Sequence, residues 1–207
     1  IWQSHKEQKK TLIDYVNALT NMGMTHDAFT IGFARRATEY KRAYLLFSDL
    51  ERLRKISRKG KIQLVFAGKA HPKDTQGKKL IEQLFGFANQ LKPDIKMTYL
   101  ANYDIDMAQK LLGGVDVWLN TPLKPLEASG TSGMKAAHNG VLNFSVLDGW
   151  WLEGWIENVT GWSIGPHPDE CLDTQECLQK EIADLYNKLE YVIVPQYYGR
   201  RDDWLRM

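Results

Sequence analysis

The sequence contains little cysteine and no long apolar segment. Of its 207 residues only Cys171 and Cys177 are cysteines, and neither has a metal-type partner pair nearby. Two cysteines do not make a disulfide framework, and we therefore interpret both as incidental. No apolar run approaches the roughly 20 residues that span a bilayer, and residues 1–6 lack the apolar core of a secretory signal. These absences predict a cytoplasmic protein that has no membrane partner.

Neither sign of charge dominates the composition. The 27 lysines and arginines stand against 25 aspartates and glutamates, which gives a net charge of +2. Nucleic-acid-binding domains carry a strongly basic surface, so no nucleic acid partner is expected and any anion site must be local. The hydrophobic content of 43% and the charged content of 25% are those of an ordinary globular domain. Disordered, collagen-like and coiled-coil classes are therefore disfavoured.

Strand-like and helix-like segments alternate along the chain. Short apolar strands are predicted at 29–33, 62–67, 95–100, 115–119 and 141–147. Helices are predicted at 4–19, 39–56, 75–91, 105–112, 131–139 and 174–194, the last of them broken by Pro195. This alternation indicates right-handed crossovers and a parallel sheet with helices on both faces. The predicted fold class is α/β, a doubly wound Rossmann-like sheet.

Polar residues follow directly after four of the predicted strands. They are Arg35-Arg36, Gly68-Lys69, Asn102-Tyr103 and the turn at 127–135. In doubly wound sheets, ligands bind beyond the carboxyl ends of the strands. We therefore expect these four loops to converge on one ligand-binding edge.

The most informative segment is the turn at 127–135, Glu-Ala-Ser-Gly-Thr-Ser-Gly-Met-Lys. Gly130 and Gly133 let backbone N–H groups approach an anion, and the first turn of the following helix offers unpaired donors to a phosphate. Lys135 can form an imine with an aldehyde held beside it. Pyridoxal phosphate has both groups. The ATP-type glycine loop does not fit this spacing, whereas a glycine turn that only caps a helix stays open.

Continued through residues 138–149, this segment resembles the pyridoxal-lysine segment of the α-glucan phosphorylases, which include glycogen, starch and maltodextrin phosphorylases. Ser132-Gly133 before Met134-Lys135 is similar to the shorter bacterial and archaeal branch. Blocks at 32–42, 66–72 and 102–118 agree in order and spacing, so the resemblance runs from about residue 28 to 165.

The resemblance implies a domain organisation. The chain would be the carboxyl-terminal lobe of a two-lobed GT-B glycosyltransferase. Residues 1–24 would form a helix leading in from the missing amino-terminal lobe, residues 25–170 the pyridoxal phosphate- and phosphate-binding Rossmann-like domain, and residues 171–207 a helical tail.

The resemblance also implies an activity. It is the transfer of a terminal glucosyl unit from an α-1,4-glucan to orthophosphate, which gives glucose 1-phosphate and uses pyridoxal 5'-phosphate as cofactor. Because half a cleft cannot sequester its reactants, the isolated chain is expected to be inactive without the amino-terminal lobe. Formation of a homo-oligomer stays open.

The same resemblance assigns the candidate site residues. Those expected to hold the cofactor are Lys135, Arg35, Tyr103, Gly130 and Thr131, with Arg35 and Thr131 at its phosphate and Tyr103 at its ring. Those expected to bind substrate are Arg36, Lys41, Glu127, Ser129 and Gly130, the first two at the phosphate and the others at sugar hydroxyls. The catalytic set is Lys135, Arg36 and Lys41, and no metal is expected.

Electrostatics supports a cluster of cations in such a site. Two phosphoryl dianions close together repel by several kcal/mol at an effective dielectric constant of about 20, and the basic segment 35–42 can offset that repulsion. Taken alone, this segment could be a solvated basic helix start. Thr38 and Asp104 depart from the animal enzymes, which have a histidine and a basic residue there.

Two other functions stay open. A nucleotide-sugar glycosyltransferase of the same two-lobed architecture would need a nucleotide site and no imine lysine. A non-catalytic glucan-binding or regulatory module would bind glucan or a partner protein without turnover. The presence of Lys135, Arg36 and Lys41 argues against the module, since a lobe released from catalysis could replace them.

Overall fold

The computed structural model describes residues 1–171 and 174–207, which fold around one six-stranded sheet. The strands are β1 Phe29–Ala34, β2 Ile62–Gly68, β3 Lys96–Ala101, β4 Val117–Asn120, β5 Leu142–Val146 and β6 Gly161–Ile164. All neighbouring strands are parallel, in the order β3-β2-β1-β4-β5-β6. This is the strand order of the doubly wound dinucleotide-binding fold, and it confirms the predicted α/β class.

Helices pack on both faces of the sheet. They are α1 Trp2–Thr20, α2 Leu50–Lys59, α3 Thr75–Leu91, α4 Ile105–Gly114, α5 Thr131–His138, α6 Trp151–Gly154, α7 Thr174–Lys188, α8 Val194–Gly199 and α9 Arg201–Arg206. Within the two described ranges, none of them is long and apolar enough to cross a membrane.

Every residue of β1 and β2 is buried, as expected for central strands of a parallel sheet covered on both faces. Side chains alternate between the faces of a strand. Phe29, Ile31 and Phe33 therefore enter one apolar cluster with α2, α3 and α7. Ala34 enters the other cluster, together with α1, α4 and α5.

Aspartate side chains begin three of the helices. The carboxylates of Asp49, Asp74 and Asp104 accept hydrogen bonds from backbone N–H groups in the first turns of α2, α3 and α4. Such N-caps satisfy donors that have no partner inside a helix. The helix predicted at 75–91 is confirmed, and Asp104, to which the resemblance gives no ligand contact, caps α4.

The predicted helix at 39–56 is wrong. The segment forms two short 3-10 turns, Glu39–Lys41 and Ala43–Phe47, and α2 begins only at Leu50. Between the turns Arg42 adopts a left-handed conformation with φ 45°. Its buried guanidinium donates to the carbonyl oxygens of Thr121 and Pro122 and pairs with Glu181. These long-range hydrogen bonds outweigh the local helical pattern.

The tail also differs from its prediction. After α7 the helix widens into a π-helical turn, Leu189–Ile193, and continues as α8, so Pro195 does not end it. Pro195 lies in the first turn of α8, where a missing N–H is tolerated. The four-residue strand β6 was not predicted. The interpretation of the cysteines as incidental is wrong, because a disulfide joins Cys171 to Cys177.

A buried ion pair joins the elements at the amino ends of the strands. Lys9 Nζ lies 2.5 Å from Asp116 Oδ2 and donates to Tyr197 Oη at 2.8 Å. Asp116 also accepts the backbone N–H of Thr30 at 2.7 Å and contacts His5 Nε2 at 2.9 Å. Burial raises the pKa of Asp116, but the Lys9 ammonium and His5 outweigh that effect and hold this pKa below the usual aspartate range.

Replacing Lys9 by methionine should destabilise the fold, because the carboxylate of Asp116 would be left buried without its cation. Removing one partner of a buried pair costs about 3–5 kcal/mol, measured here as the free energy of urea-induced unfolding. Lys10→Met is the matched control. Lys10 pairs with Asp14 at the surface, where such a pair contributes about 0–1 kcal/mol. Equal effects of the two substitutions would contradict the assignment.

The stabilisation by Asp116 should depend on pH. Because its pKa in the folded chain lies below the value of about 3.9 in the unfolded chain, the stabilisation is present above that value and is lost as the pH falls through the folded pKa. The stability difference between wild type and Lys9→Met should therefore shrink in acid. Unfolding titrations at about pH 7 and about pH 3 test this, and an undiminished difference at the lower pH would contradict it.

Candidate active site at the carboxyl edge of the sheet

The strand order places a crevice between β1 and β4. From these neighbouring strands the chain continues toward opposite ends of the sheet, and such a reversal point is where doubly wound folds bind ligands. Arg35 is the first residue after β1, and Asn120 is the last residue of β4. Two polar side chains therefore stand side by side at the mouth of the crevice.

The guanidinium of Arg35 is fixed from both strands. Its Nε and Nη2 both donate to Asn120 Oδ1, at 3.0 and 2.6 Å. Its Nη1 donates to Glu127 Oε2, and its Nη2 lies 3.5 Å from Ser132 Oγ. Only 7% of the side chain is exposed. Arg35 thus links the end of β1 to β4 and to the start of α5.

One carboxylate joins two cations at this edge. Glu127 Oε2 accepts from Arg35 and lies 2.5 Å from Lys41 Nζ, and 9% of the Glu127 side chain is exposed. Burial by itself raises the pKa of Glu127, but Lys41 and Arg35 more than offset it, and that pKa lies below the usual glutamate range. The carboxylate is therefore ionised at neutral pH, and the three side chains together carry one excess positive charge.

The loop that carries Glu127 is held by the turn after β5. The backbone N–H of Glu127 donates to Asp148 Oδ2 at 2.9 Å, and the N–H of Trp150 donates to the carbonyl of Ser129 at 2.8 Å. Gly149, with φ 57°, brings this turn so close that a Cβ there would lie 2.5 Å from Ser129 O. A side chain at this position would displace the loop.

Helix α5 begins at this loop without a side-chain cap in the described residues. Gly130 precedes it with φ 83°, a conformation that favours glycine. Gly133 packs tightly, since a Cβ there would lie within 3.1 Å of polar atoms of Trp150, Asn143 and Asn120. The first-turn N–H groups of α5 therefore lie close to the sheet edge and beside Arg35.

Thr131 and Lys135 lie one turn apart on an exposed face of α5. Within residues 1–171 and 174–207, the Lys135 ammonium makes no side-chain hydrogen bond or ion pair. The sequence-predicted lysine is therefore accessible to a ligand that reaches along the first turn of the helix.

Two predicted site residues stand apart from this cluster. Arg36 is exposed and has no ion pair in the described part of the chain. Tyr103 is half-buried against the apolar cluster that includes Ala136 of α5, and burial raises the pKa of its phenol to about 12. The structure thus brings together Arg35, Lys41, Glu127 and the start of α5, and it does not bring Arg36 or Tyr103 into their hydrogen-bond network.

Two residues of this site were missed by sequence reasoning. Asn120 and Asp148 are both buried, yet each has side-chain hydrogen bonds to the residues or loop just described. A signal existed for both, because Asn120 ends the apolar strand β4 and Asp148 comes just after β5, and a buried polar residue there must find a partner. Nothing in the sequence shows that the partner of Asn120 is Arg35.

The residues present fit a ligand that carries a phosphate and an aldehyde. A helix start with no side-chain cap among the described residues and a fixed guanidinium are the donor set that a phosphate takes. One helical turn further on lies the amine of Lys135, which has no side-chain partner in the same residues. The tight approach at Gly133 leaves no room for a side chain between this turn and the sheet. Pyridoxal phosphate has both groups.

Replacing Glu127 by glutamine should strengthen the binding of inorganic phosphate, because the carboxylate competes with an anion for Lys41 and Arg35. A unit charge at 4 Å contributes about 4 kcal/mol at an effective dielectric constant of 20, and salt screening reduces this energy. We therefore expect the affinity for phosphate, measured by calorimetric titration, to rise about tenfold. Glu82→Gln, on the exposed surface of α3, is the charge-matched control. Weaker phosphate binding by Glu127→Gln would contradict this account.

Comparisons with known proteins identify the family of the chain. The model of the carbohydrate phosphorylase family matches residues 1–161. Glycogen phosphorylase of Aquifex aeolicus is 40% identical over 97% of the chain, and maltodextrin phosphorylase of Thermococcus litoralis is 40% identical over 100% of the chain. Glycogen phosphorylase of Mycobacterium tuberculosis is 45% identical over 84% of the chain. The matched regions span 31%, 26% and 20% of those proteins. The chain belongs to the carbohydrate phosphorylase family.

Proposed function

We propose that the chain is the cofactor- and phosphate-binding lobe of an α-1,4-glucan phosphorylase. The observation that carries the proposal is the cluster at the carboxyl edge, where Arg35, Lys41 and Glu127 meet beside the uncapped start of α5. The named relatives, glycogen and maltodextrin phosphorylases, support the same activity. The reaction is transfer of a terminal glucosyl unit to orthophosphate, with glucose 1-phosphate as product.

Pyridoxal 5'-phosphate is the proposed cofactor. Lys135 Nζ would hold its aldehyde carbon, while Arg35 and the first turn of α5 at Gly130 and Thr131 would hold its phosphate. Tyr103 would lie against its ring. When bound, the cofactor supplies a phosphate that exchanges a proton with the substrate phosphate. Arg35 contributes a permanent positive charge, because a guanidinium does not lose its proton in proteins.

The substrate phosphate would be held by Arg36 and Lys41. Two phosphoryl dianions repel by several kcal/mol at an effective dielectric constant of about 20, and the local excess of positive charge offsets that repulsion. Arg36 is exposed and has no ion pair among the residues that the structure describes, so it is available to an incoming anion. Lys41 would turn from Glu127 to the anion, which leaves the carboxylate free to accept sugar hydroxyls together with Ser129 and Gly130.

The proposal includes a second lobe of GT-B type outside these 207 residues, since the chain spans less than a third of each relative named above. Residues 1–24 would lead in from that lobe, residues 25–170 would form the cofactor-binding domain, and residues 171–207 the tail. A cytoplasmic location belongs to the proposal as well, and formation of a homo-oligomer stays open.

Borohydride reduction tests the cofactor site. The chain is incubated with pyridoxal phosphate, reduced and mapped by peptide mass spectrometry, and we expect the label on Lys135. The variant Lys135→Arg should lose it. Lys69→Arg is the control, because Lys69 is an exposed lysine at the same edge of the sheet. Label at another lysine in wild type would overturn the site assignment.

Phosphorolysis tests the need for the second lobe. The 207-residue chain is assayed with maltoheptaose and orthophosphate after loading with pyridoxal phosphate. We expect no glucose 1-phosphate, because an open half-site leaves the reacting groups in water. Turnover at the rate of a complete phosphorylase would contradict this expectation. Glucan binding without cofactor labelling would instead indicate a non-catalytic module.

A further inference from the structure

Asn120 lies where it can control the orientation of the Arg35 guanidinium toward an anion. It lies at the end of β4 with 3% of its surface exposed. Trp118 and Asn120 share one face of β4 because side chains alternate along a strand. Trp118 Nε1 lies 3.3 Å from Ser132 Oγ in α5, and Asn120 Oδ1 accepts two hydrogen bonds from Arg35. This face of β4 therefore supports both the helix start and the guanidinium.

The two hydrogen bonds fix the plane of the guanidinium. Asn120 Oδ1 takes one N–H from Nε and one from Nη2, so rotation of the group would break both bonds. Nη1 points to Glu127, and Nη2 also lies near Ser132 Oγ at 3.5 Å. The second N–H of Nη2 therefore faces Ser132 in the first turn of α5, where the proposed phosphate lies.

The chemistry of an amide matters here. An amide oxygen accepts hydrogen bonds from a guanidinium without neutralising its charge, whereas a carboxylate would do both. Arg35 and Lys41 already share one carboxylate, that of Glu127. A second carboxylate would cancel the one excess positive charge of the cluster, and the site would lose its attraction for a dianion.

We propose that Asn120 is a positioning residue that orients Arg35 toward the 5'-phosphate of the cofactor while leaving its positive charge available. This inference rests on the proposed function, since it concerns the same cofactor. It assigns a role to a residue that does not touch the reacting atoms and acts only through Arg35.

The test compares pyridoxal phosphate with pyridoxal, which differ only in the phosphate. Affinities of both are measured by absorbance titration of the chain, and the preference is their ratio. Asn120→Asp keeps the shape of the side chain, and we expect the preference to fall about tenfold, with the affinity for pyridoxal itself changed less than about twofold. Asn120→Ala should lower the preference by a smaller factor, because the orientation is lost and the charge remains.

Two controls separate positioning from a general effect. Asn89→Asp adds the same charge on the exposed surface of α3, near the end from which the chain enters β3 at the amino edge of the sheet, and should leave the preference unchanged. In an Arg35→Met background, Asn120→Ala should have no further effect on the preference, because its partner is already absent. Thermal unfolding of each variant identifies any that does not fold.

The outcomes are distinct. If wild type bound pyridoxal as tightly as pyridoxal phosphate, the proposed phosphate site would fail. If wild type preferred the phosphate and Asn120→Asp kept that preference, the role of Asn120 would be overturned and the proposed function would stand. A loss of affinity for both compounds to the same extent would show a structural role only and would likewise overturn the inference.

Discussion

The structure depends on one ion cluster at the point where the strand order of the sheet reverses. Glu127 holds Arg35 and Lys41 together, and both cations come from the connection between β1 and α2, Arg35 directly after β1 and Lys41 at the end of the first 3-10 turn. Without that carboxylate, two buried or half-buried cations would repel each other across the crevice. Glu127 therefore sets the distance between the two charges and leaves their excess available to an anion.

The rest of the fold serves to place this cluster. Buried central strands fix the ends from which the loops leave, and the turn at Asp148 and Gly149 holds the loop of Glu127 against the start of α5. At the opposite end of the strands, the buried pair of Lys9 and Asp116 ties α1 to β1 and α8. These contacts hold the backbone segments that carry the site, so the site can be open to a second lobe.

Much of this could be predicted from the sequence. Periodicity gave the parallel sheet and five of its strands, and the resemblance named the residues at its carboxyl edge. Prediction from local patterns was wrong where contacts with distant residues determine the backbone conformation. Arg42 is the example, because its left-handed conformation is held by contacts with Thr121, Pro122 and Glu181. Local patterns also failed for Asn120, because its importance lies in a hydrogen bond across 85 residues of sequence. Strand β6 was also missed, since only two of its four residues, Trp162 and Ile164, are apolar.

The central claim is that a phosphate ester binds between Arg35 and the first turn of α5 while its aldehyde reaches Lys135. A crystal structure of the chain soaked with pyridoxal phosphate tests this most directly. The account predicts electron density continuous with Lys135 Nζ, and a phosphate within hydrogen-bond distance of the Arg35 guanidinium and the N–H groups after Gly130. Density for the phosphate at another part of the surface, with Arg35 still paired only to Asn120 and Glu127, would contradict it.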